Sequence, residues 1–258
     1  MNNIIVVKCG GSILAELTNE FFESIKELQN KGNKIVIVHG GGPEIEQMLT
    51  SLSIKSEFVN GLRKTTSEVL DTVEMILAGS VNKKLVSMLT SNKLKAIGLS
   101  GVDGELLKAT PINADTLGHV GEVKEVNTEL IKNLLNLDYI PVIAPIGAQE
   151  SGQKLNINAD TAAASIASAL KAKHLLFVTD VSGILKNGNL LEEVSEKTVQ
   201  ELMLDGTIYG GMIPKVKAAL SAMSDGLNEI MIVSGKTSFV TFEGSLAGTK
   251  LIKELEVV

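Results

Sequence analysis

The chain has 258 residues and a formal net charge of −6 at pH 7, with 44% hydrophobic and 21% charged residues. This composition is typical of a soluble globular protein, because a disordered chain has fewer apolar residues for its charge. An acidic chain with no Trp and two Tyr lacks the basic surface and the stacking side chains of a nucleic-acid-binding protein. No apolar run approaches the roughly 20 residues of a membrane span. We therefore expect a cytoplasmic protein with no nucleic-acid partner and no membrane partner.

Short β-branched runs alternate along the chain with segments of helical pattern. The predicted strands are 4–7, 35–38, 96–99, 140–144, 175–179 and 229–233. The predicted helices are 20–29, 44–52, 67–91 with a break near Gly79, 161–170 and 216–224. Because the strands lack polar alternation, both of their faces should be buried. The pattern predicts a three-layer α/β/α sandwich around a mostly parallel open sheet.

Two stretches fit neither pattern, namely 54–65 and the segment between the third predicted strand and Asn127. We expect these stretches to project from the sheet as hairpins and a lid. No low-complexity linker or internal repeat divides the chain, so any two lobes should share one continuous sheet.

Glycine-rich turns follow four of the predicted strands, at residues 8–12, 39–43, 98–104 and 179–183. In open α/β sheets, ligands bind outside the carboxyl ends of the strands. Glycine lets a ligand approach the backbone, and successive free N–H groups bind anions. We expect the four turns to meet at one edge and to bind phosphate, although neither a G-x-G-x-x-G motif nor a complete Walker A motif is present.

Two lysines lie at positions where a nearby anion would stabilise their charge. Lys8 ends a buried strand, where an ammonium group is costly to bury unless an anion or a carboxylate contacts it. Lys215 lies at the start of a predicted helix, where its charge opposes the helix dipole. A bound anion would explain both positions, and a solvent-exposed ammonium remains the alternative for Lys8.

Polar residues at two other places have both structural and functional interpretations. Asn158 and Asp160 are the residues that helix capping and the helix dipole favour, which explains both without a ligand. Asn156 precedes the cap and is harder to explain in this way. Arg63 lies in the projecting stretch, where its guanidinium could bind a carboxylate through two hydrogen bonds or could remain solvated.

The cysteine and the histidines do not indicate a metal site. Cys9 lies beside Lys8, which could make its thiol reactive, but we favour a buried apolar role because no His is nearby in sequence. His119 and His174 lack metal-ligand spacing, so we predict no metal site formed by protein ligands.

Six segments resemble those of the amino acid kinase family, in order and from end to end. They are Lys8-Cys9-Gly10-Gly11-Ser12, His39-Gly40-Gly41-Gly42, Asn60-Gly61-Leu62-Arg63, Asn156-Ile157-Asn158-Ala159-Asp160, Asp180-Val181-Ser182-Gly183-Ile184 and Gly211-Met212-Ile213-Pro214-Lys215. Together with Gly118-His119-Val120-Gly121, they are most similar to the family members that phosphorylate N-acetyl-L-glutamate.

The resemblance implies phosphoryl transfer from MgATP to the side-chain carboxylate of N-acetyl-L-glutamate, in arginine biosynthesis. It assigns Lys8 to the acceptor side of the migrating phosphoryl group and Lys215 to the leaving side. Asp160 would hold both lysines in place. No general base is needed, because the acceptor carboxylate is already ionised at neutral pH, and Mg²⁺ would be held mainly by phosphates and water.

The resemblance also assigns the binding residues and the assembly. Gly41 and Gly42 would bind the reacting end of the acceptor, Arg63 its α-carboxylate and Asn156 its acetamido group. The nucleotide would contact Gly10, Gly11, Thr179, Asp180, Val181, Ser182, Gly183, Ile184, Leu185, Thr207, Ile208 and Tyr209. One amino acid kinase domain, 1–258, would comprise an acceptor-binding and dimerisation lobe, 1–172, and a nucleotide-binding lobe, 173–258. Relatives inhibited by arginine have an additional N-terminal helix, so the early first strand implies an arginine-insensitive homodimer.

Two alternatives remain open. One is a kinase for an α-aminoadipate or glutamate derivative linked to a carrier protein, which would favour a basic rim that the net charge of −6 does not suggest. The other is a non-catalytic protein that binds a nucleotide or an oxyanion. The presence of Lys8, Asp160 and Lys215 together disfavours that second alternative.

Overall fold

The computed structural model describes residues 3–210, 212–224, 227 and 229–252. The strands are β1 (Ile4–Cys9), β2 (Lys34–His39), β3 (Phe58–Val59), β4 (Leu62–Arg63), β5 (Ala96–Ser100), β6 (Leu107–Pro111), β7 (Val120–Val126), β8 (Ile140–Ala144), β9 (Ile146–Ala148), β10 (Lys154–Ile157), β11 (His174–Thr179), β12 (Leu185–Lys186), β13 (Asn189–Leu190), β14 (Glu193–Ser195), β15 (Ile230–Ser234) and β16 (Thr249–Ile252).

The helices cover both sides of the sheet. They are α1 (Asn19–Asn30), α2 (Gly42–Ser51), α3 (Ser67–Glu74), α4 (Asn82–Ser91), α5 (Ala114–Leu117), α6 (Thr128–Asn136), α7 (Ala159–Leu170), α8 (Glu196–Leu204) and α9 (Met212–Ser224). Short 3₁₀ helices lie at Leu14–Glu16 and Asp103–Glu105. A π-helix, Met75–Val81, joins α3 to α4.

The main sheet has eight strands in the order β14-β16-β15-β11-β1-β2-β8-β5. The six strands from β15 to β5 are parallel to one another, and β16 pairs antiparallel with β15. The six predicted strands are these six parallel ones, so the prediction of a mostly parallel sheet is confirmed. Their carboxyl ends lie at one edge, and β1 is flanked there by β2 and β11.

Alternate residues of the central strands pack on opposite faces of the sheet. Ile4 and Val6 of β1 belong to a hydrophobic core with α6, α7, α8 and α9. Ile5 and Val7 belong to a second core with α1, α2, α3 and α4. The predicted three-layer α/β/α sandwich is therefore confirmed, and its two cores explain why the strands lack polar alternation.

Local signals set the ends of the helices. Gly32 follows α1 with φ of +81°, and Pro43 lies in the first turn of α2, where its missing N–H has no cost. Asn158 caps α7 by accepting from the N–H groups of Asp160 and Thr161. The break predicted near Gly79 is the π-helix between α3 and α4. Helices α6 and α8 lie outside the predicted elements.

Two structures project from the sheet. Strands β3 and β4 pair as the hairpin expected within 54–65. The expected lid between β5 and α6 is instead part of a small closed barrel, because β6 and β7 pair with β9 and β10. Glycine makes this tight barrel possible, since a Cβ on Gly121 would lie 2.8 Å from the Leu155 side chain.

Candidate active site

Two cavities lie at the edge formed by the carboxyl ends of the parallel strands. The glycine cavity, about 200 Å³, is lined by residues that include Gly41, Gly42, Arg63 and Asn156, the four predicted acceptor-binding residues. Its apolar walls, which sequence reasoning missed, include Ile45, Phe58, Leu62, Leu77, Val120 and Pro145.

The second cavity, called here the Lys215 cavity, measures about 340 Å³. Eight of the predicted nucleotide-binding residues line it, namely Asp180, Val181, Gly183, Ile184, Leu185, Thr207, Ile208 and Tyr209. Met212, the first residue of α9, also lines it and was not predicted. Ser182 is exposed and lies outside the lining of this cavity.

The turns after β1 and β2 contact each other through their backbones. A Cβ on Gly11 would lie 2.8 Å from the Gly42 nitrogen and 2.9 Å from the Gly41 nitrogen. Helix α2 begins at Gly42, and the first N–H groups of a helix have no acceptor within the helix. These N–H groups and the positive end of the helix dipole therefore favour an anion beside the paired glycine turns.

The predicted turn at 98–104 does not contact these two turns. A Cβ on Gly101 would lie 2.4 Å from the Ile146 carbonyl oxygen and 2.7 Å from the Leu107 side chain. The turn at 98–104 follows β5, the edge strand, and packs against the small barrel. The turn therefore lies at the predicted edge but apart from the paired glycine turns, because β8 separates β5 from β2.

Lys8 at the end of β1 forms an ion pair with Asp160 in the first turn of α7. Lys8 Nζ lies 2.6 Å from Asp160 Oδ1, and the two side chains are 9% and 19% exposed. The carboxylate provides the partner that a nearly buried ammonium group requires. Helix α7 packs directly on β1, which fixes the position of this ion pair.

Lys215 has different partners. Its Nζ donates to Thr179 Oγ1 at 2.5 Å and lies 3.4 Å from Asp180 Oδ1. The Thr179 hydroxyl in turn donates to Asp180 Oδ1 at 2.8 Å. This hydrogen bond lowers the pKa of Asp180, and the charge of Lys215 lowers it further. The predicted contact of Asp160 with both lysines is thus present for Lys8 alone, since Asp180 at the end of β11 pairs with Lys215.

The ammonium groups of the two lysines nevertheless lie at the ends of neighbouring strands, because Lys215 Nζ contacts Thr179, the last residue of β11. Strands β1 and β11 pair with Cys9 opposite Val178, and paired strands lie about 4.8 Å apart. A Cβ on Gly10 would lie 3.8 Å from Lys8 Nζ and 3.7 Å from the Val178 carbonyl oxygen. Gly10 and Gly11 follow β1 at this point, and β1 lies between β2 and β11 in the sheet.

Arg63 is held in place by neighbouring side chains. Its side chain is 8% exposed, and Nη1 donates to Glu46 Oε2 at 2.6 Å and also to Ser56 Oγ. The guanidinium lies 4.6 Å above the Phe58 ring. The hydrogen bond from Arg63 lowers the pKa of Glu46, with a further contribution from Ser56. Arg63 is therefore an oriented cation at the wall of the glycine cavity, and the interpretation as a solvated arginine is wrong.

Asn156 on β10 is also fixed in orientation. Its Nδ2 donates to the hydroxyl of the buried Thr65 at 3.1 Å, and that hydroxyl donates to the Arg63 carbonyl oxygen at 2.8 Å. The amide oxygen of Asn156 therefore remains as the acceptor for a ligand in the glycine cavity.

The remaining candidates have structural partners. Cys9 is fully buried, and burial raises the pKa of its thiol to about 12. His119 Nε2 lies 3.2 Å from Ser67 Oγ, and His174 Nδ1 lies 2.8 Å from Glu229 Oε2. Across the described part of the chain, no three His, Cys, Asp or Glu residues are grouped so that they could hold a metal ion. In the same residues, no helix has the length and apolar character needed to cross a membrane.

Comparisons with known proteins agree with this geometry. The model of the amino acid kinase family matches residues 3–234. An acetylglutamate kinase from Geobacillus sp. (strain WCH70) is 56% identical over 257 residues, and one from Bacillus pumilus (strain SAFR-032) is 51% identical over 258 residues. Both alignments cover 100% of this chain and 100% of the relative. The crystal structure of smu.665 from Streptococcus mutans UA159 is 33% identical, with a TM-score of 0.85 over 98% of this chain and 99% of that chain. The chain belongs to the amino acid kinase family, as its glycine turns and lysines predict.

Proposed function

We propose that the protein transfers the γ-phosphoryl group of ATP to the side-chain carboxylate of N-acetyl-L-glutamate, in arginine biosynthesis. The product is N-acetyl-L-glutamyl 5-phosphate, and ADP is released. The observation that carries this proposal is that the ammonium groups of Lys8 and Lys215 lie at the ends of the neighbouring strands β1 and β11. Full-length similarity to proteins named acetylglutamate kinase supports the choice of acceptor.

The chemistry needs positioning and neutralisation of charge. A carboxylate oxygen of the acceptor attacks the γ-phosphorus, and the bond from that phosphorus to the oxygen bridging to the β-phosphate breaks. Lys8 neutralises negative charge on the acceptor side, and Lys215 neutralises it on the nucleotide side. Asp160 orients Lys8, whereas Thr179 and Asp180 orient Lys215. Preorganised donors of this kind contribute about 10²- to 10³-fold each to kcat.

The acceptor would occupy the glycine cavity. The N–H groups of Gly41 and Gly42 would bind its reacting carboxylate, and Arg63 would bind its α-carboxylate through the N–H groups that Glu46 and Ser56 leave free. Asn156 would accept a hydrogen bond from the acetamido N–H. The apolar wall would contact the methylene groups and the acetyl methyl group of the acceptor.

The nucleotide would occupy the Lys215 cavity. Ile184, Leu185, Ile208 and Met212 offer apolar surface for a planar base, and Lys215 lines the same cavity with its Nζ at the end of β11. Asp180 is the carboxylate at this end, and the described residues offer no carboxylate cluster that would enclose Mg²⁺. Magnesium would therefore be held mainly by phosphates and water, and when bound it would reduce the negative charge of the phosphates.

The division into an acceptor lobe, 1–172, and a nucleotide lobe, 173–258, follows from this placement of the two ligands. A cytoplasmic homodimer is the assembly we propose. Light scattering on the purified protein would test it, since a monomeric mass would contradict the dimer.

The reaction is tested by incubating the purified protein with MgATP and N-acetyl-L-glutamate. We expect ADP release together with an acyl phosphate that hydroxylamine traps. Parallel reactions with L-glutamate, N-acetyl-L-α-aminoadipate and carrier-linked α-aminoadipate compare the alternative acceptors. Faster turnover of the carrier-linked acceptor would contradict the proposed substrate, and nucleotide binding without turnover of any acceptor would support the non-catalytic alternative.

A further inference from the structure

A buried chain of polar groups connects the second glycine turn to the start of α4, and none of the roles above uses it. His39, the last residue of β2, and Asn82, the first residue of α4, are both 0% exposed. Asn82 Nδ2 lies 3.1 Å from His39 Nε2, and His39 Nδ1 lies 2.9 Å from the Gly40 carbonyl oxygen. Buried polar groups form costly networks unless every member has a partner, so these contacts require an explanation.

The surroundings of Asn82 determine which way its amide points. Nδ2 lies 2.9 Å from the Val142 carbonyl oxygen and 3.3 Å from that of Leu99, which are both acceptors. Oδ1 lies 3.0 Å from Lys83 Nζ, which can only donate. The NH₂ group must therefore face Val142, Leu99 and His39.

This amide orientation determines the tautomer of His39. Asn82 Nδ2 has two hydrogens to donate, and its two shortest contacts are the Val142 carbonyl oxygen at 2.9 Å and His39 Nε2 at 3.1 Å. His39 Nε2 therefore accepts from Asn82 and carries no proton. The ring proton is then on Nδ1, from which it is donated to the Gly40 carbonyl oxygen. The Nδ1–H tautomer of His39 is thus imposed by residues on β5, β8 and α4.

The hydrogen bond from His39 fixes the orientation of the Gly40–Gly41 peptide, which lies at the glycine cavity. The Gly40 N–H donates to the Cys9 carbonyl oxygen at 2.9 Å, so Gly40 is held at both its N–H and its C=O. In a trans peptide the C=O of Gly40 and the N–H of Gly41 point in opposite directions. Holding the carbonyl at His39 therefore directs the Gly41 N–H away from the ring, toward the side where Gly11 meets this turn.

The π-helix supports the same turn from the other direction. A Cβ on Gly41 would lie 2.7 Å from Leu77 Cδ2 and 3.2 Å from Val81 Cγ2, both on the π-helix. Asn82 follows directly after Val81. A π-helix is rare and often lies at a functional site. Here it places the packing contacts and the Asn82 amide against the same glycine turn.

His39 also stays neutral. Burial lowers the pKa of His39 to about 4, and the nearby charge of Lys83 lowers it further, whereas the hydrogen bond to Gly40 acts in the opposite direction. Cys9, which pairs with His39 across β1 and β2, is the other titratable group beside it, and its thiol is neutral at physiological pH. One uncharged tautomer therefore persists across the physiological range.

We propose that His39, held in its Nδ1–H tautomer by Asn82, is a positioning residue that orients the Gly40–Gly41 peptide for acceptor binding. The inference rests on the proposed function, since it assigns the Gly41 N–H to the reacting carboxylate. His39 touches neither substrate. It acts by restricting the orientation of the Gly41 N–H, which would contact the acceptor.

The tautomer can be measured on the wild-type protein without any activity assay. The chain has three histidines, so ¹⁵N-histidine labelling gives few signals, and the signals missing from His39→Asn identify those of His39. We expect a protonated Nδ1 and a bare Nε2 that do not change between about pH 8 and pH 5. A protonated Nε2, or an imidazolium ring within that range, would overturn the proposal.

Two variants separate the positioning role from a purely structural one. An asparagine amide reaches approximately the position of Nδ1. His39→Asn can therefore still donate to the Gly40 carbonyl oxygen, but it loses the hydrogen bond from Asn82. A glutamine amide reaches the position of Nε2. His39→Gln therefore keeps an acceptor for the Asn82 amide, but it loses the hydrogen bond to the Gly40 carbonyl oxygen. Each variant breaks one buried contact, which makes them matched for stability.

We expect kcat of His39→Gln to be lower than kcat of His39→Asn by about 10-fold or more, because misplacement of a binding group by about 1 Å can cost 10²-fold. Their thermal unfolding midpoints should be similar. Equal kcat in the two variants of an active enzyme would overturn this inference alone. Absence of wild-type turnover on N-acetyl-L-glutamate would instead overturn the proposed function, and if either variant fails to fold, the wild-type tautomer decides.

Discussion

Replacing Gly11 by alanine should open the contact between the two glycine turns. The new Cβ would lie 2.8 Å from the Gly42 nitrogen and 3.0 Å from Gly41 Cα, and both atoms are backbone. An ordinary contact begins at 3.4 Å, so the turns must separate by about 0.6 Å. Overpacking of this kind costs about 1–3 kcal/mol in the free energy of unfolding. A displacement of that size also moves the Gly41 and Gly42 N–H groups, so kcat should fall by about 10-fold or more.

The assay couples ADP release to a spectroscopic readout with N-acetyl-L-glutamate as acceptor, and urea unfolding gives the stability. Gly10→Ala is the matched control for stability, since its Cβ would meet its nearest atoms at 3.7, 3.8 and 3.9 Å, all ordinary contacts. We expect its unfolding free energy to stay within about 0.5 kcal/mol of wild type. A Gly11→Ala protein with wild-type kcat and wild-type stability would refute the reasoning from the turn geometry.

Four further predictions concern single side chains. Lys8→Ala and Lys215→Ala should each lower kcat on the order of 10²-fold or more, and near-normal kcat in either would remove that lysine from the reaction. Arg63→Ala should mainly raise KM for the acceptor, by about 10- to 100-fold for lost charged hydrogen bonds, and an unchanged KM would exclude the contact. Cys9 should not react with a thiol reagent until the protein unfolds, because burial raises its pKa to about 12. The folded pKa of His39, about 4, lies below its ordinary value of 6.5, so the unfolded chain takes up the proton first as the pH falls. Between pH 6.5 and pH 4 the protein should therefore lose up to about 3 kcal/mol of stability that His39→Asn does not lose, and identical pH slopes would contradict this.

The central sheet could be predicted from the sequence because strands buried on both faces appear as continuous apolar runs. Continuous apolar runs such as 4–7 and Ile140–Ala144 are uninterrupted by polar residues, since helices cover both faces. The small barrel was predicted only as projecting segments, because its closure depends on pairing β6 with β9 and β7 with β10, which are distant in the chain. These strands, of three to seven residues, carry too little pattern to reveal such pairing.

Helices α6 and α8 escaped prediction although their caps were visible. Asn127 accepts from the Leu130 N–H at the start of α6, and Ser195 accepts from the Thr198 N–H at the start of α8. Asn and Ser followed by acidic first-turn residues are favoured helix starts. These signals could have found both helices.

Some residues of the site could be predicted because their type and position in the sequence already indicate what they bind. A lysine at a strand end and a glycine turn before a helix both indicate an anion, and the structure places them together. The partners could not be predicted, because they come from distant segments. Asp180, which pairs with Lys215, lies 35 residues before it in the chain, and Glu46, which pairs with Arg63, lies 17 residues before it.

The claim that two ammonium groups neutralise one migrating phosphoryl group is tested most directly by a crystal structure with ADP, aluminium fluoride and N-acetyl-L-glutamate. Aluminium fluoride stands in for the phosphoryl group between the two substrates. We expect Lys8 Nζ and Lys215 Nζ on opposite sides of it, each about 2.7–3.1 Å from a fluoride or from the bridging oxygen beside it. A complex in which either ammonium group stays with its carboxylate and does not contact the analogue would contradict the account.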